Sequence, residues 1–562
     1  MGLYNLEFGK AEFEQGIGNS EFEGGIGSDG ICNLDYKKGV LAPPLRLNDS
    51  FKENTARSAT YTWTGNVVTV TLSSHGFIEG QVVYIDFLTG QGTPDGNYTL
   101  LASPGTNDFT FTLTGSGTGG NCTVQGFIPN VKIIAYANDA AQTVVGAMCV
   151  GQEATSNNGQ FYSMASNGGG RLTPVGVQDT TRDYKLGYSD AIFFNGKYYV
   201  TSTTDIAQMT AALGSIDLSY WITTKSQAAL VATVPHQMVV YKGYLYIIDA
   251  NKVHRIDSSG TVVNGCLTLD TDYICMAIEV HDNKLYIYAD KIKSNLIEAD
   301  SQTDTIVACS GELIIWDGTN IDTSTIERYR MSSPIYTMKS FNGTLYIWDA
   351  YNFGYWNGMT LNVLRETNGY PKYKCMITTF KNRLYWIEGS AGDVYGSTNK
   401  RVICFNGKQF YHCLSTSALT GATIIDSLFR WKGSAFALCS NSGMYTLNFS
   451  PVIGQFGSSA TFIAYSKWYD LPVISKIEKC LLELSNVIAV NNDLTISAIN
   501  SKGDEKVLMT LTYSADGAVF SKEKNSLTDN FSSFRLKITF TDFGSSAIKR
   551  ILLTLNSTAN PL

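Results

Sequence analysis

Charge is scarce in this chain: Asp, Glu, Lys and Arg make up 16% of its 562 residues, against about 25% in typical soluble domains. Lys and Arg total 42 against 49 Asp and Glu, a formal net charge of −7, and no cationic run is long enough to track a phosphate backbone. Tight nucleic-acid binding is excluded, because that affinity comes from clustered cations. Histidine is rarer still. His75, His236, His254, His281 and His412 lie far apart with no HxxxH or HExxH partner, so the sequence offers no local metal or triad site. Long apolar runs are missing too, which excludes a membrane-spanning helix. Met1-Gly2-Leu3-Tyr4-Asn5-Leu6-Glu7 has neither the basic start nor the apolar core of a signal peptide, and Leu6 stands where a myristoylation signal needs Ser or Thr. The 11 cysteines are scattered without a CxxC, which reads as reduced, buried small hydrophobes in a protein folded in cytoplasm.

What is abundant is glycine (52) and tyrosine (32), and their placement is periodic. Six segments repeat one pattern of apolar residues, a two-residue polar turn and an aromatic-rich run: Phe194-Asn195-Gly196-Lys197-Tyr198-Tyr199, Tyr241-Lys242-Gly243-Tyr244-Leu245-Tyr246, His281-Asp282-Asn283-Lys284-Leu285-Tyr286, Phe341-Asn342-Gly343-Thr344-Leu345-Tyr346, Phe380-Lys381-Asn382-Arg383-Leu384-Tyr385 and Trp431-Lys432-Gly433-Ser434-Ala435-Phe436. Each predicts a β-hairpin, since the turn pair supplies the positive φ of a tight turn and the flanks suit a half-buried strand. The turns fall at 196, 243, 283, 343, 382 and 433, a spacing suited to four-stranded propeller blades. A second recurrence, Trp316-Asp317-Gly318, Trp356-Asn357-Gly358, Phe405-Asn406-Gly407 and the looser Ile256-Asp257-Ser258-Ser259-Gly260, marks the exit of a later strand in each blade. Asn158-Gly159-Gln160-Phe161-Tyr162 is a candidate seventh start. The fold class is therefore all-β: an irregular propeller of six or seven blades, with an inserted small β-barrel or sandwich and a C-terminal β-sandwich-like domain.

The divisions fall at 1–58, an extended arm; 59–127, a small β module; 128–455, the propeller; and 456–562, the C-terminal β domain. The arm contains a duplication, Glu12-Phe13-Glu14-Gln15-Gly16-Ile17-Gly18 and Glu21-Phe22-Glu23-Gly24-Gly25-Ile26-Gly27. With so few apolar residues it orders only against another surface, its own propeller or a neighbouring subunit, and Phe13, Ile17, Phe22 and Ile26 are the candidate docking residues. Phe534-Arg535-Leu536-Lys537-Ile538-Thr539-Phe540 alternates cleanly, as in a sheet with one wet face.

Chemistry-bearing motifs are weak. Gly25-Ile26-Gly27-Ser28-Asp29-Gly30 and Gly115-Ser116-Gly117-Thr118-Gly119-Gly120 have the GxGxxG form, but neither opens a helix that would receive a pyrophosphate. Asp270 with Asp272, and Asp300 with Asp304, lack the spacing of a calcium loop. The Ser-x-Asp-x-Gly-x-Thr-Trp turns of propeller sialidases are missing, and Trp316-Asp317 and Trp348-Asp349 resemble WD repeats only superficially. Paired carboxylates can still converge from distant blades.

The 59–127 segment, with Ser74-His75-Gly76-Phe77, Gly80-Gln81-Val82-Val83, Gly96-Asn97-Tyr98 and Asn107-Asp108-Phe109-Thr110, is similar to a small β module inserted in bacteriophage tail and other virion proteins. Together with the arm, the irregular blades and a last domain introduced by Ser466-Lys467-Trp468-Tyr469-Asp470, the chain resembles the tail-nozzle proteins of short-tailed bacteriophages, the tail tubular protein B type. The resemblance implies a non-enzymatic virion component without cofactor or metal. Six copies would form a tube for genome ejection that meets a tail adaptor or connector, tail fibres and, at ejection, the host envelope, with only transient contact to double-stranded DNA in its lumen. The alternatives are a carbohydrate-binding or carbohydrate-cleaving propeller and a host-receptor-binding tail protein.

Overall fold

The structure is a computed structural model; it describes Leu3–Phe8, the short strands Asn33–Asp35, Val40–Ala42 and Leu47–Asn48, and, apart from connecting segments, 56–291, 311–388, 401–447 and 461–557. Phe13, Ile17, Phe22 and Ile26 lie outside the described residues.

One five-stranded and six four-stranded sheets follow one another through the centre of the chain. These seven blades span 131–183, 191–217, 238–268, 273–330, 335–366, 377–415 and 425–447. They form a closed ring, because the first strand of the first blade, Val131–Asn138, lies against the first strands of both the second blade, Ala191–Phe194, and the seventh, Ile425–Trp431. Among the described residues, the seventh blade has three strands of its own. Its fourth is Leu47–Asn48, which pairs with Thr446 and Leu447.

The hairpins join the first and second strands of blades two to seven. Asn195 and Gly196 have φ of 47° and 75°, and Asn342 and Gly343 of 50° and 75°, the double positive φ of a type I′ turn. In the first blade the corresponding hairpin joins Val131–Asn138 to Val144–Gln152, and Asn158–Tyr162 instead starts the third strand. The exit motifs sit between third and fourth strands, where the Asp or Asn carboxyl or amide oxygen accepts backbone N–H groups: Thr319 and Asn320 donate to Asp317 Oδ1 at 2.8 and 2.9 Å, and Met359 and Thr360 donate to Asn357 Oδ1 at 2.9 and 2.8 Å. These are Asx turns.

Successive side chains of a strand point to opposite faces, and here both faces are covered. In Leu345-Tyr346-Ile347-Trp348, Leu345 and Ile347 pack with Leu313 and Ile315 of the fourth blade, while Tyr346 and Trp348 pack with Leu384 and Trp386 of the sixth. That explains why the second strands read as continuous apolar runs. Each buried side chain of this size contributes roughly 1.5–3 kcal/mol. Neighbouring blades also interlock by turns. Asn195 Nδ2 donates to the Ser258 carbonyl at 2.5 Å, and Tyr246 Oη donates to the Gly318 carbonyl at 3.2 Å, so residues of one blade's first hairpin grip the exit turn of the next.

The small module is a six-stranded sheet around Val68, Val70, Val83, Ile85, Phe109 and Phe111. The C-terminal domain is a ten-stranded hydrogen-bonded assembly. The long strand Asn530–Thr541 pairs through its first half with Tyr469–Leu484 and through its second with Asp493–Asn500 and Thr461–Tyr465, so two layers close on one core that includes Leu482, Leu553, Ile496 and Ile538. The first strand, Leu3–Phe8, completes it by pairing antiparallel with the last, Ile548–Ser557.

Candidate functional site

Carboxylates gather at one mouth of the ring, where second strands end and first strands begin. The reason lies three residues beyond each hairpin copy: the sixth residue counted from the start of the second strand is Asp249 in the third blade, Asp349 in the fifth and Glu388 in the sixth, with Ser202 there in the second. All four are buried. An acceptor at this point caps the reversal into the third strand. Asp349 Oδ1 takes N–H bonds from Tyr351 and Asn352 at 2.8 and 2.6 Å, and Ser202 Oγ takes one from Asp205 at 2.8 Å.

The remaining buried charges are neutralised between blades. Arg365, from the last strand of the fifth blade, meets Glu388 of the sixth at 3.2 Å. Arg182 joins Asp179 at 3.3 Å and Asp205 at 3.2 Å, and also donates to Ser219. Burial raises the Asp205 pKa despite the opposing Ile206 and Ile222 N–H groups and Arg182. Tyr184 donates to Asp179 at 2.8 Å, and burial together with that carboxylate pushes its phenol well up. Asp249 is held by three donors: Val231 N–H at 2.9 Å, His236 Nε2 at 3.2 Å and His254 Nε2 at 3.4 Å. Burial pushes the Asp249 carboxyl up, but the hydrogen bonds from the two histidines outweigh it and leave it well below the usual range. His236 and His254, separate in sequence, thus meet on one carboxylate.

Lys374 crosses the ring. It precedes the first strand of the sixth blade, yet its ammonium lies 2.9 Å from Asp190 Oδ2 at the edge of the second blade and donates to the Met238 carbonyl of the third. Asp190 Oδ2 also accepts the Met238 N–H at 2.8 Å. Blades two and three are the farthest from blade six in a ring of seven, so this ion pair spans the central axis.

The other sequence candidates are dispersed. His75 is internal to the small module, donating from Nε2 to the Asp108 carbonyl at 3.1 Å and accepting the Phe77 N–H on Nδ1 at 2.9 Å. His281 contacts Ser340 Oγ at 3.0 Å and packs on Tyr286. The His412 side chain, Asp300, Asp304 and Gly25–Gly30 lie outside the described residues. Asp272 pairs with Lys291 at 3.6 Å on the surface. Gly115–Gly120 is a loop entering a strand, and a Cβ at Gly120 would lie 2.1 Å from the Thr89 carbonyl oxygen, so close backbone packing is the reason for glycine there. Among the described residues, no group of His, Cys, Asp and Glu is placed to hold a metal. Burial pushes the thiols of Cys275 and Cys480 up to about 12, as suits unreactive core residues.

No protein-family model and no curated protein matches the chain. Among solved structures, it is similar to a mitotic checkpoint complex structure at 7% identity (57% of this chain, 89% of that one, TM-score 0.36) and to an exo-beta-1,3-galactanase from Phanerochaete chrysosporium at 9% (76% and 99%, TM-score 0.26). A phage phi92 endosialidase aligns at 12% over 64% of this chain and 49% of that one, with TM-score 0.19. Likeness at this level carries no functional argument.

Proposed function

We propose that this chain is a structural virion protein, the tail-nozzle subunit of a short-tailed bacteriophage, in which six copies build a tube for genome passage. The observation that carries the reading is the state of the ring mouth. Asp190, Asp205, Asp249, Asp349 and Glu388 are engaged by Lys374, Arg182, two histidines, backbone N–H groups and Arg365 respectively. Glycoside hydrolysis needs two carboxyl groups free to face one sugar bond, and these are committed to holding blades together. The Lys374 bridge occupies the ring's own axis, so a passage for DNA would run between protomers, with each propeller as a wall segment. The low charge suits a wall that DNA slides past and subunit faces that bury against each other.

The test is native mass spectrometry with negative-stain imaging of the purified chain, with and without a short-tailed phage adaptor. Six-fold rings with an open lumen support the proposal; a stable monomer that releases sugar from bacterial surface glycans overturns it.

A further inference from the structure

The hydrogen bonds around His236 specify its charge. Its Nδ1 lies 3.0 Å from the Ser202 carbonyl oxygen and its Nε2 lies 3.2 Å from Asp249 Oδ1. A carbonyl oxygen only accepts, and so does an ionised carboxylate, so both ring nitrogens must carry hydrogen. His254 differs. Its Nδ1 accepts the Gly265 N–H at 3.1 Å, which leaves Nε2 as the protonated atom facing Asp249 Oδ2, the neutral tautomer. Asp249 is therefore a carboxylate between one imidazolium and one neutral imidazole, and this trio is almost fully enclosed, with His236 at 0% exposure.

We propose that His236 is a buried, doubly protonated imidazole that clasps the second blade to the third through Ser202 and Asp249. The clasp lies where it can act. His236 belongs to the connector between the two blades. Its N–H donates to the Tyr188 carbonyl at 2.8 Å, and its carbonyl accepts Thr201 Oγ1 at 3.0 Å. From the second blade side it faces Ser202, with Asp205 and its partner Arg182 behind; from the third it faces Asp249 and His254, with Trp221 stacked edge-on against His254. Asp190 and Lys374 join through Thr201, and the Cys275 thiol of the fourth blade senses the Asp249 charge. Arg182 is shared by Asp179 and Asp205, and Lys374 answers Asp190; without its second ring proton, His236 would give up its bond either to the Ser202 carbonyl or to Asp249 Oδ1.

Nitrogen-15 spectroscopy of the full chain tests this. Nitrogen-15 spectra of histidine-labelled protein at neutral pH, assigned with His236→Gln, are expected to show both His236 ring nitrogens protonated and His254 with one bare nitrogen; a bare nitrogen on His236 overturns the proposal in the wild-type protein, whether or not the variant folds.

Discussion

Gly318 shows how little freedom a blade junction leaves a single residue. Its φ is +85°, and a Cβ there would lie 2.9 Å from Tyr246 Oη and 3.0 Å from Tyr241 Cε1. Gly318→Val therefore combines backbone strain with displacement of two rings from the preceding blade, and is expected to cost about 2–4 kcal/mol in denaturant unfolding. Lys374 behaves differently, because its removal strands a charge. Lys374→Met leaves the Asp190 carboxylate with backbone donors only and is expected to cost about 2 kcal/mol, while adding Asp190→Asn recovers part of that loss; strictly additive effects would show that the two do not interact. Asp249 sets the acid limit of its junction. A carboxyl held below its unfolded value contributes stability that is complete above the unfolded pKa of about 3.9 and is lost as pH falls through the folded value. Wild-type melting temperature should accordingly drop on acidification below about pH 4, with a shallower drop in Asp249→Asn.

At the scale of elements, the hairpins were legible because a two-residue turn leaves so few choices: Asn-Gly, Lys-Gly and Asp-Asn are the pairs that reach positive φ at both positions. The same logic explains the failure at the first blade. Its corresponding connection, between Asn138 and Val144, is longer than two residues and carries no such pair, while Asn158-Gly159, which has the hairpin signature, opens the third strand instead. The exit motifs were legible because an Asx turn needs its Asp or Asn at a set offset. The carboxylates at the mouth were not, since Asp190 and Lys374 are 184 residues apart and nothing local distinguishes a paired Asp from a solvated one. Nor was the strand Leu47–Asn48, whose two residues are too few for a period. The first strand makes the clearest element-level prediction. Phe8 is fully buried against the C-terminal core, so Phe8→Ala is expected to cost about 3–4 kcal/mol, and deleting residues 1–8 to accelerate exchange of the Ile551–Asn556 amides that face the lost strand, while those facing Tyr469–Leu484 stay paired.

On the scale of the whole molecule, the chain binds its early segments into both of its late ones: Leu3–Phe8 into the final domain and Leu47–Asn48 into the final blade. Asn5 and Thr554, joined by a hydrogen bond, are separated by 549 residues. At roughly 5–20 residues per second of synthesis, the first strand waits about half a minute to two minutes for its mate. Throughout that interval a nascent chain on the ribosome carries an unmatched β edge, and so does every neighbour on the same messenger. Crowded translation thus sets up a race between self-closure and strand exchange with a sister chain, and the release rate from the ribosome decides how often each wins.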